Sequence, residues 1–272
     1  MAPPRPLSLA HLSLVGCRPM EMVRIAGAAG FALVDLRLAP ATSVDPRYDA
    51  AALAVLVREL PPLLADAGLK VWDVEIIRMT NSTEPADYLP LMEAAAALGA
   101  ARMKLVCDST DHGRAAEILA RLCRLAAPFG LTLDLEYMVF SGVKSFAAAR
   151  RMVEMAGEPN LRVLVDALHW ARAGDTGAAL RGANCLGYVQ LCDAPARAPQ
   201  TRDALIAEAR IHRLPPGDGE LALVELLKAV PKDCVASLEA PLPPGHDPLA
   251  HARRLQAAAR ALCDRHDERM GA

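Results

Sequence analysis

The chain has 272 residues, 53% of them hydrophobic, with 30 basic and 32 acidic side chains and a formal charge of −2. That length suits one large domain, and so even a charge balance gives no drive toward a phosphate backbone, which argues against a nucleic-acid partner. Aromatic residues are only 4%, so Ala, Leu and Val must supply the packing; this favours helices and buried parallel strands over an all-β sandwich.

In chain order the pattern is strand, then helix, repeated. LSLAHLSLV (7–15) reads as a first strand and PMEMVRIAGAAG (19–30) as a helix, with Gly30 placed to stop it. FALVDLRL (31–38) is a second strand, 46–67 an Ala- and Leu-rich helix, and LKVWDVEIIRM (69–79) a third strand. A helix over 84–98 leads to strand ARMKLVCD (101–108) and a helix over 112–128. LTLDLE (131–136) is the fifth strand, followed by a helix over 145–157. LRVLVD (161–166) precedes a short helix at 170–181, and GYVQLCD (187–193) precedes helices near 201–210 and 219–229. CVASLE (234–239) and a helix over 247–264 complete the count. Eight strands, each followed by helix, with no composition shift, predict one α/β domain over 1–272: a single (β/α)8 TIM barrel. A doubly wound sheet would need fewer strands and a Gly-rich first turn, and GAAG (27–30) is only a helix end.

Seven cysteines, an odd number with no Cys-x-x-Cys pair, make a disulfide framework unexpected and fit a reducing cytoplasm. MAPPRPL lacks a signal-type apolar region, and no run of about 20 apolar residues exists to span a membrane. A homo-oligomer is compatible with the composition.

Four of the apolar runs end on oxygen-bearing side chains: Glu136, Asp166, Gln190 and Glu239. Period-two alternation in LTLDLE turns Leu131, Leu133 and Leu135 toward the helices and Thr132, Asp134 and Glu136 inward. Gln190 and Glu239 share inward faces by the same count, at the C-terminal mouth where barrels of this kind carry their sites. Three carboxylates on one axis repel without a cation. A donor set of oxygens suits one divalent ion, Mg2+ or Mn2+ first and Zn2+ or Co2+ after them. The competing reading is four separate helix caps or Arg partners. His169, three residues past Asp166 in DALH, could return over the site as acid or base, or cap the next helix. Arg210, His212 and Arg213 precede the turn PPGDG, and the arginines could clamp a polar or anionic substrate. Glu75, Arg78 and Arg37, late in the third and second strands, could line the other side of the mouth or form an ion-pair belt. His11 is a candidate core histidine.

The strand-five LEYM, DALH, VQLCDAP (189–195), RLPPGDGEL (213–221) and SLEAPLP (237–243) resemble the sugar phosphate isomerase/epimerase superfamily of xylose-isomerase-like TIM barrels. The resemblance covers nearly the whole chain. It implies one divalent ion held by Glu136, Asp166, Gln190 and Glu239. Many sugar epimerases of the group have His at the strand-seven position. Gln190 is instead similar to the dehydroshikimate dehydratase-like branch. The implied chemistry is proton transfer beside a carbonyl through an enediolate, with Glu136, Glu239 and His169 as catalytic groups acting on a sugar, sugar phosphate or hydroxy-keto acid. Isomerase or epimerase is the leading expectation. A metal-dependent dehydratase of a hydroxy-keto acid is the alternative, with Arg210 or Arg213 holding its carboxylate. An abasic-site endonuclease-like phosphodiesterase, which would need more His ligands, and a non-catalytic sugar-binding barrel are remote ones.

Overall fold

The computed structural model describes residues 3–42 and 45–271. Its eight strands are β1 (Leu7–Leu9), β2 (Leu33–Arg37), β3 (Lys70–Met79), β4 (Arg102–Cys107), β5 (Thr132–Glu136), β6 (Leu161–Asp166), β7 (Leu186–Leu191) and β8 (Ala236–Leu238). They close in sequence order, β8 pairing with β1 and each neighbour parallel. The predicted (β/α)8 TIM barrel is therefore the fold.

The helices form the outer ring: α1 (Pro19–Ala28), α2 (Ala50–Asp66), α3 (Leu89–Ala97), α4 (His112–Ala126), α5 (Phe146–Ala156), α6 (Ala167–Arg172), α7 (Gly177–Leu180), α8 (Arg202–Ile211), α9 (Leu223–Ala229) and α10 (Pro248–Gly271). Several start on a side-chain cap. Asp49 accepts from Ala52 N, Asp111 from Arg114 N and Ser145 from Ala148 N, each satisfying a donor that the first turn leaves open. The outward residues of the strands, such as Leu133, Leu135, Val163 and Val165, are fully buried against these helices. No disulfide forms among the described residues, and no described helix is long and apolar enough to cross a membrane.

Three local expectations are corrected. The first strand stops at Leu9, and His11–Leu14 form a 3-10 turn. The alternation in LSLAHLSLV looks like strand, but the Ser13 hydroxyl donates to Leu238 O at 2.8 Å and accepts from Ala240 N, tying that turn to the end of β8. The helix expected at 170–181 starts at Ala167, because Asp166 caps it by accepting from His169 N at 3.0 Å. It then breaks at Gly174, whose φ of 70° a side chain would resist. The helix near 219–229 begins only at Leu223, since PPGDG is spent on a turn that Asp193 fastens through Gly217 N and Leu221 N at 2.9 Å.

The barrel floor packs Leu164, Tyr188 and Val235 with Leu33 and Trp72, and the Arg102 guanidinium lies 5.0 Å over the Trp72 ring. Arg102 also grips both oxygens of Asp134 at 2.8 Å. A Cβ added at Gly187 on β7 would stand 1.8 Å from Asp134 Oδ1. Gly187→Ala should therefore cost about 1–3 kcal/mol of stability by overpacking, read as a lower midpoint in urea. An unchanged midpoint would mean that the Asp134–Arg102 pair yields freely.

Candidate active site

Register places the four strand-end residues together. Val106 on β4 lies opposite Glu136, Asp166 opposite Gln190, and Gln190 opposite Ser237, two residues before Glu239. Ligand oxygens of Glu136, Asp166 and Glu239 all lie within 4.8 Å of one another, and all three residues are buried. Gln190 Nε2 donates to Glu239 Oε1 at 3.0 Å. Its amide oxygen, fully buried, has no hydrogen-bond partner. A buried carbonyl oxygen left unmatched is costly, and this one sits beside three carboxylates. The donor set fits one divalent cation.

The chain also brings its own cations to this place. Arg213 Nη1 lies 2.5 Å from Asp166 Oδ2 and 3.1 Å from Glu239 Oε2, anchored by its Nε donating to Ala209 O at 2.6 Å. Lys104, on β4, lies 2.9 Å from Glu239 Oε1 and 3.1 Å from Glu75 Oε1. Helix capping and Arg pairing, the alternative to a metal role in the sequence reading, thus both occur at Asp166. One carboxylate has two oxygens and several lone pairs, so a cap and an ion contact do not exclude each other.

Burial pushes the Glu136 carboxyl up to about 8, although Lys104 pulls it down. Burial acts the same way on Glu239, but Lys104 and Arg213 outweigh it and hold that carboxyl at about 2. Burial lowers His169 to about 4 against the pull of Asp166, so its ring is neutral. Deeper in the barrel burial raises Asp35 to about 7, opposed by hydrogen bonds from Ser237 and Ser8. Seven buried carboxyls, Asp35, Asp73, Glu75, Asp134, Glu136, Asp166 and Glu239, face an interior with four cations, Arg37, Arg102, Lys104 and Arg213.

The mouth encloses a cavity of about 480 Å3. Glu136, Glu239 and His169 line it, with Lys104 and Arg213 beside them. His169 Nε2 is 3.9 Å from Glu136 Oε1, and Phe140 meets its ring edge-on at 5.4 Å. Arg37, Arg78 and Arg210 line the same cavity. Arg37 is held by Glu75 at 2.7 Å and Arg78 by Asp108. Arg210 is exposed; partial burial, then Arg78, pull its guanidinium below its ordinary value. Glu75 does not reach the cavity wall. It is fully buried behind Arg37 and Lys104. His212 caps the end of α8, and His11 is a core residue whose Nδ1 accepts from Arg37 N at 2.9 Å. Sequence reasoning passed over Lys104. The signal was present: a lysine inside the apolar run ARMKLVCD, one strand away from Glu75 and Asp134.

A closed parallel barrel with an acid-rich C-terminal mouth defines the class. The chain belongs to the xylose isomerase-like TIM barrel family, whose model matches residues 23–262. Among solved structures it is similar to a xylose isomerase-like TIM barrel/4-hydroxyphenylpyruvate dioxygenase fusion protein, at 18% identity and a TM-score of 0.81 over 99% of this chain. The chain spans 44% of the length of that protein. It is also similar to an IolI protein with a bound zinc atom, at 15% identity and a TM-score of 0.76, covering 96% of this chain and 99% of that one. An L-ribulose 3-epimerase superposes at 17% identity and a TM-score of 0.73, covering 98% and 97%. No curated sequence matches the chain.

Proposed function

We propose that the protein is a divalent-metal-dependent isomerase or epimerase of a sugar or related polyhydroxy carbonyl compound. The observation that carries this reading is the pairing of Glu136 and Glu239, at the ends of β5 and β8, on one cavity, with the Gln190 amide, its oxygen orphaned, packed against Glu239. Glu136, Asp166, Gln190 and Glu239 would hold the ion. When bound, it would polarise a substrate carbonyl and steady the negative charge of an enediolate.

The chain's own residues do the proton work. One of the two glutamates takes the carbon-bound proton and the other returns it, while the neutral His169 ring, 3.9 Å from Glu136, hydrogen-bonds a substrate oxygen. Return to the opposite face gives epimerisation; return to the neighbouring carbon gives aldose–ketose exchange. Arg78 and Arg210, which line the same cavity, bind substrate oxygens. Arg213 orients Asp166, and Glu75 acts at one remove by holding Arg37. The zinc-bound IolI protein and the L-ribulose 3-epimerase support the ion and the reaction class.

Deuterium uptake from heavy water into a ketose panel (L-ribulose, D-fructose, D-tagatose, D-psicose) with Mn2+ added tests the reading. Mn2+-dependent exchange into at least one of them is expected, and none with any ketose would overturn it. A dehydratase would begin with the same proton removal and then expel a β-hydroxyl. Gln190 and the cavity arginines suit that course, and growth of a conjugated-product absorbance from a hydroxy-keto acid would select it.

A further inference from the structure

Lys104 is the only lysine buried among the described residues. It lies on β4 beside Glu75 of β3 and Asp134 of β5, and its side chain reaches across the barrel to Glu239, just past β8. Its side chain is 2% exposed, yet it lines the mouth cavity. An ammonium carries three donors. One is spent on Glu239 Oε1 at 2.9 Å. The contact with Glu75 Oε1 at 3.1 Å is an ion pair without hydrogen-bond alignment, and that oxygen accepts no hydrogen bond. A buried donor left unmatched costs about 1–3 kcal/mol. A lysine kept only to balance Glu75 and Glu239 would gain from pointing its donors at both. This one lines the cavity with donors beyond the one that Glu239 accepts.

We infer that Lys104 is a catalytic residue, whose ammonium donates to the substrate oxygen on which negative charge develops when the neighbouring carbon loses its proton. The inference rests on the proton-transfer reading above. Lys104 touches Glu239, one of the two glutamates that exchange the proton, so an oxygen on the carbon next to the reacting one comes within reach of its free donors. The step balances within the substrate and one glutamate. The C–H bond breaks, its proton goes to the carboxylate, and the electron pair becomes the C=C bond of the enediolate. The carbonyl oxygen takes the charge and strengthens its hydrogen bond from Lys104. Reprotonation reverses the sequence, and Lys104 keeps its protons throughout. Two buried carboxylates, Glu239 at 2.9 Å and Glu75 at 3.1 Å, favour the charged ammonium. Preorganised donors of this kind act most strongly where water is excluded.

The test uses glycolohydroxamate, a small planar mimic of an enediolate, whose binding does not require the natural substrate to be known. Calorimetry measures Mn2+ binding and then hydroxamate binding to wild type and to Lys104→Met. In the variant, hydroxamate affinity should fall roughly 10- to 100-fold, the worth of one charged hydrogen bond, with Mn2+ affinity unchanged or tighter. For whichever panel ketose exchanges deuterium, kcat should fall with KM nearly constant. Equal hydroxamate affinity in both proteins overturns the inference and leaves the proton-transfer reading standing. A parallel fall in Mn2+ affinity also overturns it, because Lys104 would then serve only to place Glu239. Absence of both hydroxamate binding and exchange in wild type overturns the proton-transfer reading, and this inference with it. If Lys104→Met does not fold, Lys104→Gln replaces it in the same measurements.

Discussion

Glu136→Gln is expected to lower deuterium exchange by about 10²–10⁴-fold, the usual worth of a positioned acid or base, without lowering the melting temperature of the metal-free protein. The two effects separate because of where this carboxyl sits. Metal-free, it is buried among Asp166 and Glu239, and its pKa rises from 4.5 to about 8. A raised carboxyl pKa contributes stability that is fully present below the unfolded value and is lost as pH rises through the folded one. Glutamine, neutral at all pH, removes that loss. The variant should therefore melt progressively higher than metal-free wild type as pH rises from about 5 to about 8. Added Mn2+ should reverse the order, since the ion offsets the charge that the variant lacks. Thermal melts at several pH values, with and without Mn2+, read this directly. Retained exchange would remove Glu136 from the chemistry, and a pH-independent difference would show that its carboxyl ionises freely.

The fold was legible because each strand keeps its period and each helix its stop. The eight-strand count survives the shortening of β1, where Ser13 bonds to β8 instead of extending the strand. That contact joins residues 225 apart in sequence, and no local pattern carries it. The four strand-end oxygens were legible for the same reason as the barrel: alternation fixes which face a residue takes. Less legible was what fills the space between them. Arg213 arrives from a turn that Asp193 fastens, and Lys104 from the opposite side of the barrel. Both depend on barrel closure. The cavity arginines were visible as charges, but not their sorting into Arg37 and Arg78, held by carboxylates, and Arg210, exposed. Glu75, read as facing the mouth, lies behind it because its carboxylate is engaged from two sides.

Arg213→Met should give the largest loss of stability in the metal-free protein. Its side chain is 2% exposed and compensates Asp166 and Glu239 at once. Methionine fills much of the same space, so packing is largely kept while both carboxylates lose a counter-charge. Breaking a buried pair from one side costs about 3–5 kcal/mol, roughly 10 °C in melting temperature for a chain of this size. Asp166 would still cap α6 through His169 N, which limits the damage to charge. If these carboxylates share a divalent ion, Mn2+ supplies the missing charge, and a ligand that binds only the folded state raises stability with its concentration. The Mn2+-dependent rise should then be larger for Arg213→Met than for wild type, where Arg213 competes with the ion for the same oxygens. An equal rise in both proteins would mean that Mn2+ binds away from Asp166 and Glu239, and the quartet would then be a set of ion pairs and a helix cap without a metal role.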